Sequence, residues 1–237
     1  MRVLLVRPEA EARRFAGRLQ EAGHEVLVSP VLDIRPTGNA RPDGPFDALI
    51  ASSARAFELL SLADAERLRV LPLFAVGERS AKSAQACGFP PPFALGTNAA
   101  ELIAAIAKVP GSGRHFLYLA GERRKPALEA ALRAAGHAVT AWEIYNAVAA
   151  PTLTAPALAA LGAGQIDAVL HFSRRSAEIF AGLAAAAGLR AATAQALHIC
   201  ISSDAAAGLT ELGPVRARIA ETPDSNAMLA LLHDAGG

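Results

Sequence analysis

The fold is decided by a stretch near the start of the chain, which reads Arg2-Val3-Leu4-Leu5-Val6, then Pro8 to Ala22, then Gly23-His24-Glu25-Val26. The same order of segments returns as His115-Phe116-Leu117-Tyr118-Leu119, Gly121 to Ala135, and Gly136-His137-Ala138-Val139. In both copies a short apolar run, typical of a buried strand, comes before the middle stretch, and a Gly-His pair follows it. Each copy predicts a strand, a loop, a helix and a second strand, and the repetition indicates an internal duplication.

The middle stretch of the first copy has the spacing of an amphipathic helix. Its apolar residues recur at positions i, i+3, i+4 and i+7, namely Ala12, Phe15, Ala16 and Leu19. Pro8 suits the opening turn of such a helix, and Gly23 suits its C-cap. The middle stretch is therefore predicted to be helical.

Three further pairs of segments match downstream, and each of them leads into a predicted helix. The pairs are Asp47-Ala48-Leu49-Ile50-Ala51-Ser52-Ser53 with Asp167-Ala168-Val169-Leu170-His171-Phe172-Ser173, Leu73-Phe74-Ala75-Val76-Gly77 with His198-Ile199-Cys200-Ile201-Ser202, and Gly96-Thr97-Asn98-Ala99 with Pro223-Asp224-Ser225-Asn226. Each half thus alternates about four strands with helices. This alternation predicts an α/β fold of two doubly wound parallel sheets.

Two predicted strands, Glu25–Pro36 and Ala138–Ala149, are about twelve residues long, where ~5–6 residues are usual. We interpret each as a strand that leaves one lobe and continues into the other. This predicts a first lobe of residues 1–35 and 150–237, with a second lobe of residues 36–149 inserted into it. The same residues leave an alternative open, two sequential domains that split near Gly111-Ser112-Gly113.

The composition is that of a folded protein with a sizeable core. Of 237 residues, 52% are hydrophobic, 19% charged and 5% aromatic, and the formal net charge is +1. These values exclude disorder as the main state. No apolar run approaches the ~20 residues of a membrane-spanning helix, and the run after Met1-Arg2 is too short for a signal peptide. We expect a cytoplasmic protein without a membrane partner.

Motifs that would indicate a cofactor, a metal or a nucleic acid are missing from the sequence. It has no G-x-G-x-x-G, no Walker A motif and no G-x-S-x-G elbow, so nothing supports dinucleotide binding, nucleotide hydrolysis or serine-hydrolase chemistry. The histidines and cysteines lack the spacing of metal ligands. No basic stripe with interleaved aromatic residues indicates a nucleic-acid surface. We expect no cofactor, no metal and no nucleic-acid partner.

The candidate binding residues follow predicted strands, because ligands of parallel α/β sheets bind beyond the carboxyl ends of the strands, where helices begin. Hydroxyl groups, glycines and arginines recur in these loops, which is the composition of an anion site. The predicted substrate-binding residues are Arg7, Ser52, Ser53, Arg55, Gly77, Ser80, Gly121, Arg123, Ser173, Arg174, Ser202 and Ser203.

Helix geometry offers another explanation for several of these residues. A serine at a helix N-cap needs no further role, and four serines stand where N-caps are predicted: Ser52, Ser53, Ser80 and Ser173. The run Arg123-Arg124-Lys125 fits a solvated first turn. Because cations at a helix N-terminus oppose the helix dipole, this run favours an anionic partner.

Tyr145 lies in Trp142-Glu143-Ile144-Tyr145-Asn146, where the second long strand approaches the predicted connector. Packing is the ordinary role of a tyrosine in a strand. A tyrosine hydroxyl that faces a cleft is also a candidate general acid. The residues alone leave both roles open.

The order and spacing of five segments resemble the uroporphyrinogen-III synthase family over nearly the whole chain. The segments are Val6-Arg7-Pro8, Phe46 to Ala56, Val76-Gly77-Glu78-Arg79-Ser80-Ala81, Glu143-Ile144-Tyr145, and Asp167 to Ser173. The resemblance implies two α/β lobes joined by a two-stranded connector, with the second lobe inserted into the first. It also implies that the lobes close over the substrate, with the connector as hinge.

The resemblance implies a lyase of tetrapyrrole biosynthesis that acts on hydroxymethylbilane without a cofactor, and we expect a monomer. Loss of the terminal hydroxyl as water leaves an azafulvenium cation, which attacks the substituted position of the last pyrrole ring. The resulting spiro intermediate fragments and recloses with that ring inverted. Tyr145 is implied as the catalytic residue that helps the hydroxyl leave, and the loop hydroxyls and arginines as ligands of the substrate carboxylates.

The chain departs from the family pattern at several positions. Where the family usually has Thr-Ser, this chain has Ser52-Ser53 and Phe172-Ser173, and where many members read Gly-Pro-Thr-Thr it has Ser202-Ser203-Asp204-Ala205. A second hypothesis is therefore a non-catalytic homologue that binds a tetrapyrrole or another polycarboxylate. A third, a periplasmic-type receptor of two α/β lobes, is disfavoured because no signal peptide is recognised.

Overall fold

Short aliphatic runs form the strands of two separate sheets. The computed structural model describes residues 1–109 and 113–236, and the chain groups into two units. We call them the discontinuous unit, which is Met1–Asp33 with Val148–Gly237, and the continuous unit, which is Ile34–Ala147. The predicted α/β fold class is confirmed. The alternative split falls on Gly111 and Ser112, which lie outside the described residues.

The elements follow one another in three passages. The first contains β1 (Arg2–Leu5), α1 (Glu9–Glu21), β2 (Glu25–Val28) and β3 (Leu32–Pro36). The second contains β4 (Ala48–Ala51), α2 (Arg55–Glu58), α3 (Leu62–Leu68), β5 (Leu73–Val76), α4 (Glu78–Ala86), β6 (Ala94–Gly96), α5 (Ala99–Ala107), β7 (His115–Gly121), α6 (Ala127–Ala134) and β8 (Ala138–Ala149). The third contains α7 (Ala155–Gly162), β9 (Ala168–His171), α8 (Arg174–Ala186), α9 (Arg190–Gln195), β10 (Leu197–Cys200), α10 (Ser203–Ala207), a 3₁₀ turn (Thr210–Leu212), β11 (Arg216–Ile219) and α11 (Ser225–Gly236).

The discontinuous unit is built on a parallel sheet with the strand order β11-β10-β9-β1-β2. Alternate residues of β1 enter opposite cores: Leu4 packs with Phe180 of α8, and Leu5 packs with Phe15 of α1. Because helices cover both faces, the central strands are mostly apolar and do not alternate between apolar and polar residues.

The continuous unit has the strand order β3-β8-β7-β4-β5-β6, with parallel pairing from β8 to β6. On one face Leu49 and Trp142 pack with Phe57 of α2. On the other face Phe116 packs with Leu102 of α5. The doubly wound arrangement is thus present in both units.

The predicted strand Glu25–Pro36 is wrong in one respect, because it is two strands separated by Ser29, Pro30 and Val31. Pro30 has no N–H to donate to a ladder. The Ser29 hydroxyl accepts a hydrogen bond from the backbone N–H of Thr154 at 2.9 Å. β2 consequently pairs with β1, whereas β3 lies beside β8 in the other sheet. The second long strand, Ala138–Ala149, is continuous as predicted.

The described helices are amphipathic or short, as expected for helices that cover a sheet. The first helix, Glu9–Glu21, falls within the predicted stretch from Pro8 to Ala22. No described helix has both the length and the apolar character that crossing a membrane requires.

Candidate functional site

The predicted binding residues of the continuous unit gather at the carboxyl edge of its sheet. Ser52 and Ser53 follow β4, Gly77 follows β5, and Gly121 ends β7. These three strands are parallel neighbours, so the residues that follow them share one edge. The winding of the sheet reverses between β4 and β7, and ligands of open α/β sheets bind at such a switch point.

The discontinuous unit has a corresponding edge. Arg7 follows β1, Ser173 follows β9, and Ser202 follows β10. The strands β1, β9 and β10 are parallel neighbours, and the winding of this sheet reverses between β1 and β9. The residues that follow these strands therefore also share one edge of their sheet.

Tyr145 packs against the backbone of Gly121 because β8 contains a bulge. Ala120 pairs with Glu143, but Gly121 pairs with Tyr145, so Ile144 is an extra residue. A Cβ atom on Gly121 would lie 2.7 Å from Cε2 of Tyr145 and 3.0 Å from its hydroxyl oxygen. Glycine leaves the room that the tyrosine ring occupies, and the ring is thereby held at the end of β7.

Arg124 ties the loop between β7 and α6 to β8. Its guanidinium lies 2.6 Å from Oε1 of Glu129 and 2.8 Å from Oε1 of Glu143, and it donates a hydrogen bond to the carbonyl of Gly121 at 3.1 Å. Burial lowers the pKa of Arg124, but the hydrogen bonds with Glu143 and Glu129 outweigh burial and raise it. The loop that supports Tyr145 is thus fixed by a charged network.

This network changes the interpretation of the basic run before α6. The run was predicted to favour an external anion, but the anions at Arg124 are two glutamates of the chain itself. The neighbouring Arg123 is exposed. α6 begins only at Ala127, after Pro126, so the cations precede the helix and the predicted conflict with its dipole is reduced.

Ser52 forms a hydrogen bond with a residue that the sequence motifs did not single out. Its Oγ lies 2.5 Å from the hydroxyl oxygen of Tyr118. Tyr118 is a residue of β7 and only 2% exposed, whereas Ser52 is exposed. Burial raises the pKa of Tyr118. A signal was present in the sequence, because the duplicated strand has Leu5 where β7 has this tyrosine.

Two of the predicted N-cap serines in the continuous unit, Ser52 and Ser80, do not cap a helix. Ala54 directly precedes α2 and already has helical φ and ψ. Gly77 precedes α4 with a φ of +80°, a conformation that favours glycine. Ser80 consequently lies inside α4 and is 4% exposed.

The polar side chains around α2 contact one another. The Ser53 hydroxyl accepts a hydrogen bond from the backbone N–H of Arg55 at 3.2 Å. The Arg55 guanidinium forms an ion pair with Glu58 at 2.8 Å. Both predicted binding residues thus already have partners within the chain.

In the discontinuous unit the serines cap helices. Ser173 caps α8 by accepting a hydrogen bond from the backbone N–H of Ser176 at 3.2 Å, as predicted. Ser202 caps α10 in the same way, with the N–H of Ala205 at 3.2 Å. Ser203 is the exposed first residue of α10.

The predicted arginines of the discontinuous unit differ in their surroundings. The guanidinium of Arg7 lies 4.0 Å from the ring centroid of Phe172, a cation–π contact. The Phe172 ring also meets Phe15 edge-on, at 5.4 Å between centroids. Arg174 is exposed and forms ion pairs with Glu178 at 2.8 Å and Asp204 at 3.6 Å.

His171, the last residue of β9, and His198, the second residue of β10, form a buried pair that the sequence motifs did not indicate. His198 donates from Nε2 to the carbonyl of Thr193 at 3.1 Å, so its Nδ1 accepts from Nε2 of His171 at 2.9 Å. Both rings are fully buried. Burial lowers the pKa of His198 and holds the pKa of His171 well below its ordinary value. Both side chains are therefore neutral at neutral pH.

The edge of the continuous unit can donate protons and hydrogen bonds to an anionic ligand. Tyr145 and Ser52 supply hydroxyl groups, and Arg123 supplies an exposed positive charge. Among residues 1–109 and 113–236, no group of three or more His, Cys, Asp or Glu side chains is placed to hold a metal ion.

These features define a protein of two α/β units, each with hydroxyl groups and arginines at the carboxyl edge of a parallel sheet. A family model described as "Uroporphyrinogen-III synthase HemD" matches residues 13–230. The chain belongs to the uroporphyrinogen-III synthase family, whose members are enzymes of tetrapyrrole synthesis on the route to haem. Among curated proteins, none matches the chain significantly.

Solved structures support the fold. A uroporphyrinogen-III synthetase from Helicobacter pylori is 21% identical, with a TM-score of 0.68 over 99% of this chain and 100% of that chain. A mutant uroporphyrinogen III synthase from Thermus thermophilus is also 21% identical, with a TM-score of 0.55 over 99% of this chain and 98% of that chain. At this level of identity the similarity is evidence for the fold. The non-catalytic alternative is not favoured by the family match.

Proposed function

We propose that this chain is a cofactor-free hydro-lyase that converts hydroxymethylbilane into uroporphyrinogen III and water, inverting the last pyrrole ring. The observation that carries the proposal is the position of the Tyr145 ring, which packs against Gly121 at the carboxyl edge of the sheet in the continuous unit. A phenol held there is a proton donor beside a switch point, where ligands of α/β sheets bind.

In the proposed reaction Tyr145 donates its proton to the terminal hydroxyl of the substrate. The C–O bond breaks, water leaves, and the azafulvenium cation remains. The cation attacks the substituted carbon of the last pyrrole ring, and the spiro intermediate fragments and recloses. The proton that the pyrrole loses as it becomes aromatic again returns to Tyr145, which balances the cycle.

Most of the rate enhancement is expected to come from holding one folded geometry of the bilane. The unassisted bilane also closes, without inversion, so the enzyme has to select a conformation. Positioning can supply ~7–11 kcal/mol of a barrier, whereas one general acid typically contributes ~10²–10⁴-fold. The carboxylates of the substrate offer many points for such positioning.

For these carboxylates we propose the predicted binding residues that have exposed donors. In the continuous unit they are Ser52 and Arg123; in the discontinuous unit they are Ser173, Arg174 and Ser203. Arg174 already contacts carboxylates of its own unit. Because surface ion pairs are worth little in water, a substrate carboxylate can compete for this arginine.

The proposal extends to the organisation of the protein. We propose lobes of residues 1–35 with 150–237 and of residues 36–149, a monomer in the cytoplasm, and no nucleic-acid partner. Light scattering coupled to gel filtration would test whether the protein is a monomer in solution. A mass near 24.4 kDa is expected, and a mass about twice as large would contradict it.

The isomer of the product tests the function. Hydroxymethylbilane is generated from porphobilinogen by a deaminase in the presence of the purified chain, and the products are oxidised and resolved as uroporphyrin isomers. We expect the type III isomer to predominate. A reaction with heat-denatured protein, which should give the type I isomer, serves as control. Type I alone with the native chain would contradict the proposal.

A further inference from the structure

Tyr118 is a polar residue in an apolar core. It belongs to a buried cluster with Ile50, Phe74 and Phe116, on the face of the sheet that α5 and α6 cover. Only 2% of the residue is exposed. A hydroxyl group that is buried so far has to be hydrogen-bonded, because an unpaired one loses its interactions with water without replacement.

The hydroxyl of Tyr118 reaches across the switch point of the continuous unit. Tyr118 in β7 pairs in register with Ile50 of β4. Its side chain extends toward the end of β4, where its oxygen lies 2.5 Å from Oγ of Ser52. The pair therefore connects a buried residue of one strand with an exposed residue that follows the neighbouring strand.

The direction of this hydrogen bond follows from the chemistry of the two groups. Burial raises the pKa of Tyr118, so the phenol keeps its proton at neutral pH. Among the described residues, Ser52 is the hydrogen-bond partner that the phenol has. The phenol must therefore donate to Oγ of Ser52, because the opposite direction would leave a buried O–H without an acceptor.

A serine that accepts from a phenol has its own hydrogen available for another acceptor. Ser52 is exposed, so that hydrogen is directed to solvent or to a ligand. A donor that is itself an acceptor in a chain of hydrogen bonds is strengthened. Carboxylates are acceptors only and match such a donor.

We propose that Tyr118 is a positioning residue that makes Ser52 a hydrogen-bond donor to a carboxylate of the substrate. This role rests on the proposed function, because it takes the polycarboxylate bilane as the ligand. Under this proposal Tyr118, a buried residue of the sheet, contributes to substrate specificity through the exposed hydroxyl of Ser52.

The test is a double-mutant cycle on Tyr118 and Ser52, with KM and kcat measured for hydroxymethylbilane. Tyr118→Phe removes the hydroxyl and keeps the ring. We expect KM to rise about three- to tenfold with kcat nearly unchanged, since uniform substrate binding is weakened. In the Ser52→Ala background the same change is expected to leave KM unaltered, because the serine through which Tyr118 acts is absent.

Further variants separate this role from a structural one. Ser52→Thr keeps the hydroxyl and should retain the dependence of KM on Tyr118. Thr140→Val removes another hydroxyl hydrogen bond of the same sheet, to Nε2 of His115 at 2.8 Å, and should leave KM unchanged. If Tyr118→Phe does not fold, Tyr118→Leu, which copies Leu5 of the duplicated strand, takes its place.

The outcomes distinguish the two proposals. If the wild-type chain forms the type III isomer but Tyr118→Phe raises KM equally with and without Ser52, the positioning role is overturned and the function stands. An unchanged KM in Tyr118→Phe likewise overturns the positioning role alone. If the wild-type chain forms only the type I isomer, the proposed function is overturned, and the role of Tyr118 with it.

Discussion

The two units carry different side chains at the same place in their duplicated sheets. After β4 of the continuous unit, Ser52 is hydrogen-bonded to Tyr118. After β9 of the discontinuous unit the matching residue is Phe172, which packs against Arg7 and Phe15. One switch point is thus lined by hydroxyl groups and the other by an aromatic–cation contact. The duplicated scaffold determines where side chains emerge, while the identity of each residue decides the chemistry.

The buried interiors of the two units also differ at matching positions. His171 and His198 form a buried pair in the discontinuous unit, and the matching residues of the continuous unit are Ala51 and Leu73. The discontinuous unit therefore buries two titratable groups between β9 and β10, whereas the continuous unit has the hydroxyl group of Tyr118 in its core. We accordingly expect catalysis to depend on the continuous unit and acid sensitivity to arise in the discontinuous unit.

The largest effect is expected from Tyr145→Phe, which removes the proposed acid and keeps the ring on Gly121. We expect kcat for the type III isomer to fall about tenfold to a hundredfold, because one general acid is lost while positioning remains. The measurement is the steady-state rate with freshly generated substrate. A kcat near that of the wild type would leave Tyr145 a packing role only.

The second prediction concerns acidification of the histidine pair. The pKa values of His171 and His198 in the folded chain are lowered by burial, so as the pH falls the unfolded state takes up protons first. The free energy of unfolding should then decrease below about pH 6.5, by up to ~1.4 kcal/mol per pH unit for each histidine. Above that pH this contribution is fully present.

Denaturant unfolding at pH 7.5, 6.5 and 5.5 would measure this loss. A variant with both histidines replaced by leucine should lose most of the pH dependence, whatever its stability at neutral pH. A smaller dependence should remain from His24 and His137, whose pKa values burial also lowers. An equal dependence in the wild type and the variant would show that the pair does not carry the acid sensitivity.

The third prediction tests the packing of the Tyr145 ring against Gly121. In Gly121→Ala the new Cβ would lie 2.7 Å from a ring carbon of Tyr145, so the ring has to move and its hydroxyl leaves its position. We expect a fall in kcat of about tenfold, with the fold retained because the colliding atoms are the far end of a side chain. Circular dichroism would check the fold.

Gly182→Ala is the matched control for this substitution. Gly182 lies in α8 with nothing within 4 Å of an added Cβ. The Gly182→Ala variant should have an unchanged kcat. Its free energy of unfolding should rise by up to ~1 kcal/mol, because alanine is the better helix former. Equal kcat values for the two alanine variants would contradict the supporting role of Gly121.

The smallest effect is expected from Phe172→Leu at the edge of the discontinuous unit. The substitution removes the ring that Arg7 and Phe15 contact, at a cost of about 1 kcal/mol in the free energy of unfolding. We expect kcat to stay within about twofold of the wild type. Urea unfolding and steady-state kinetics would measure both, and a loss of kcat as large as that of Tyr145→Phe would overturn the contrast between the edges.

The elements of the fold were predictable from local patterns. β8 was predicted as one long strand, because no proline or glycine interrupts Ala138–Ala149. The break between β2 and β3 was missed even though Pro30 stands there, since the apolar residues continue past it. Local residues thus determine where strands lie, and a single missing N–H determines where one ends.

The site was less predictable, because its contacts join residues that are distant in the sequence. The bulge that places Tyr145 against Gly121 depends on the pairing of β7 with β8, and no local sequence pattern reveals it. Arg124 binds Glu143 of a different strand, and His171 meets His198 only because β9 and β10 are neighbours. The loops that carry polar groups were predicted, but not which of those groups contact one another.

The central claim, that the chain inverts the last pyrrole ring with Tyr145 as acid, is tested most directly by the ratio of type III to type I product from hydroxymethylbilane. The wild type and Tyr145→Phe are compared at the same protein and substrate concentrations. We predict that type III predominates with the wild type, and that the variant shifts toward type I because unassisted closure then competes. Type I product alone from the wild-type chain, as from substrate without protein, would contradict the claim.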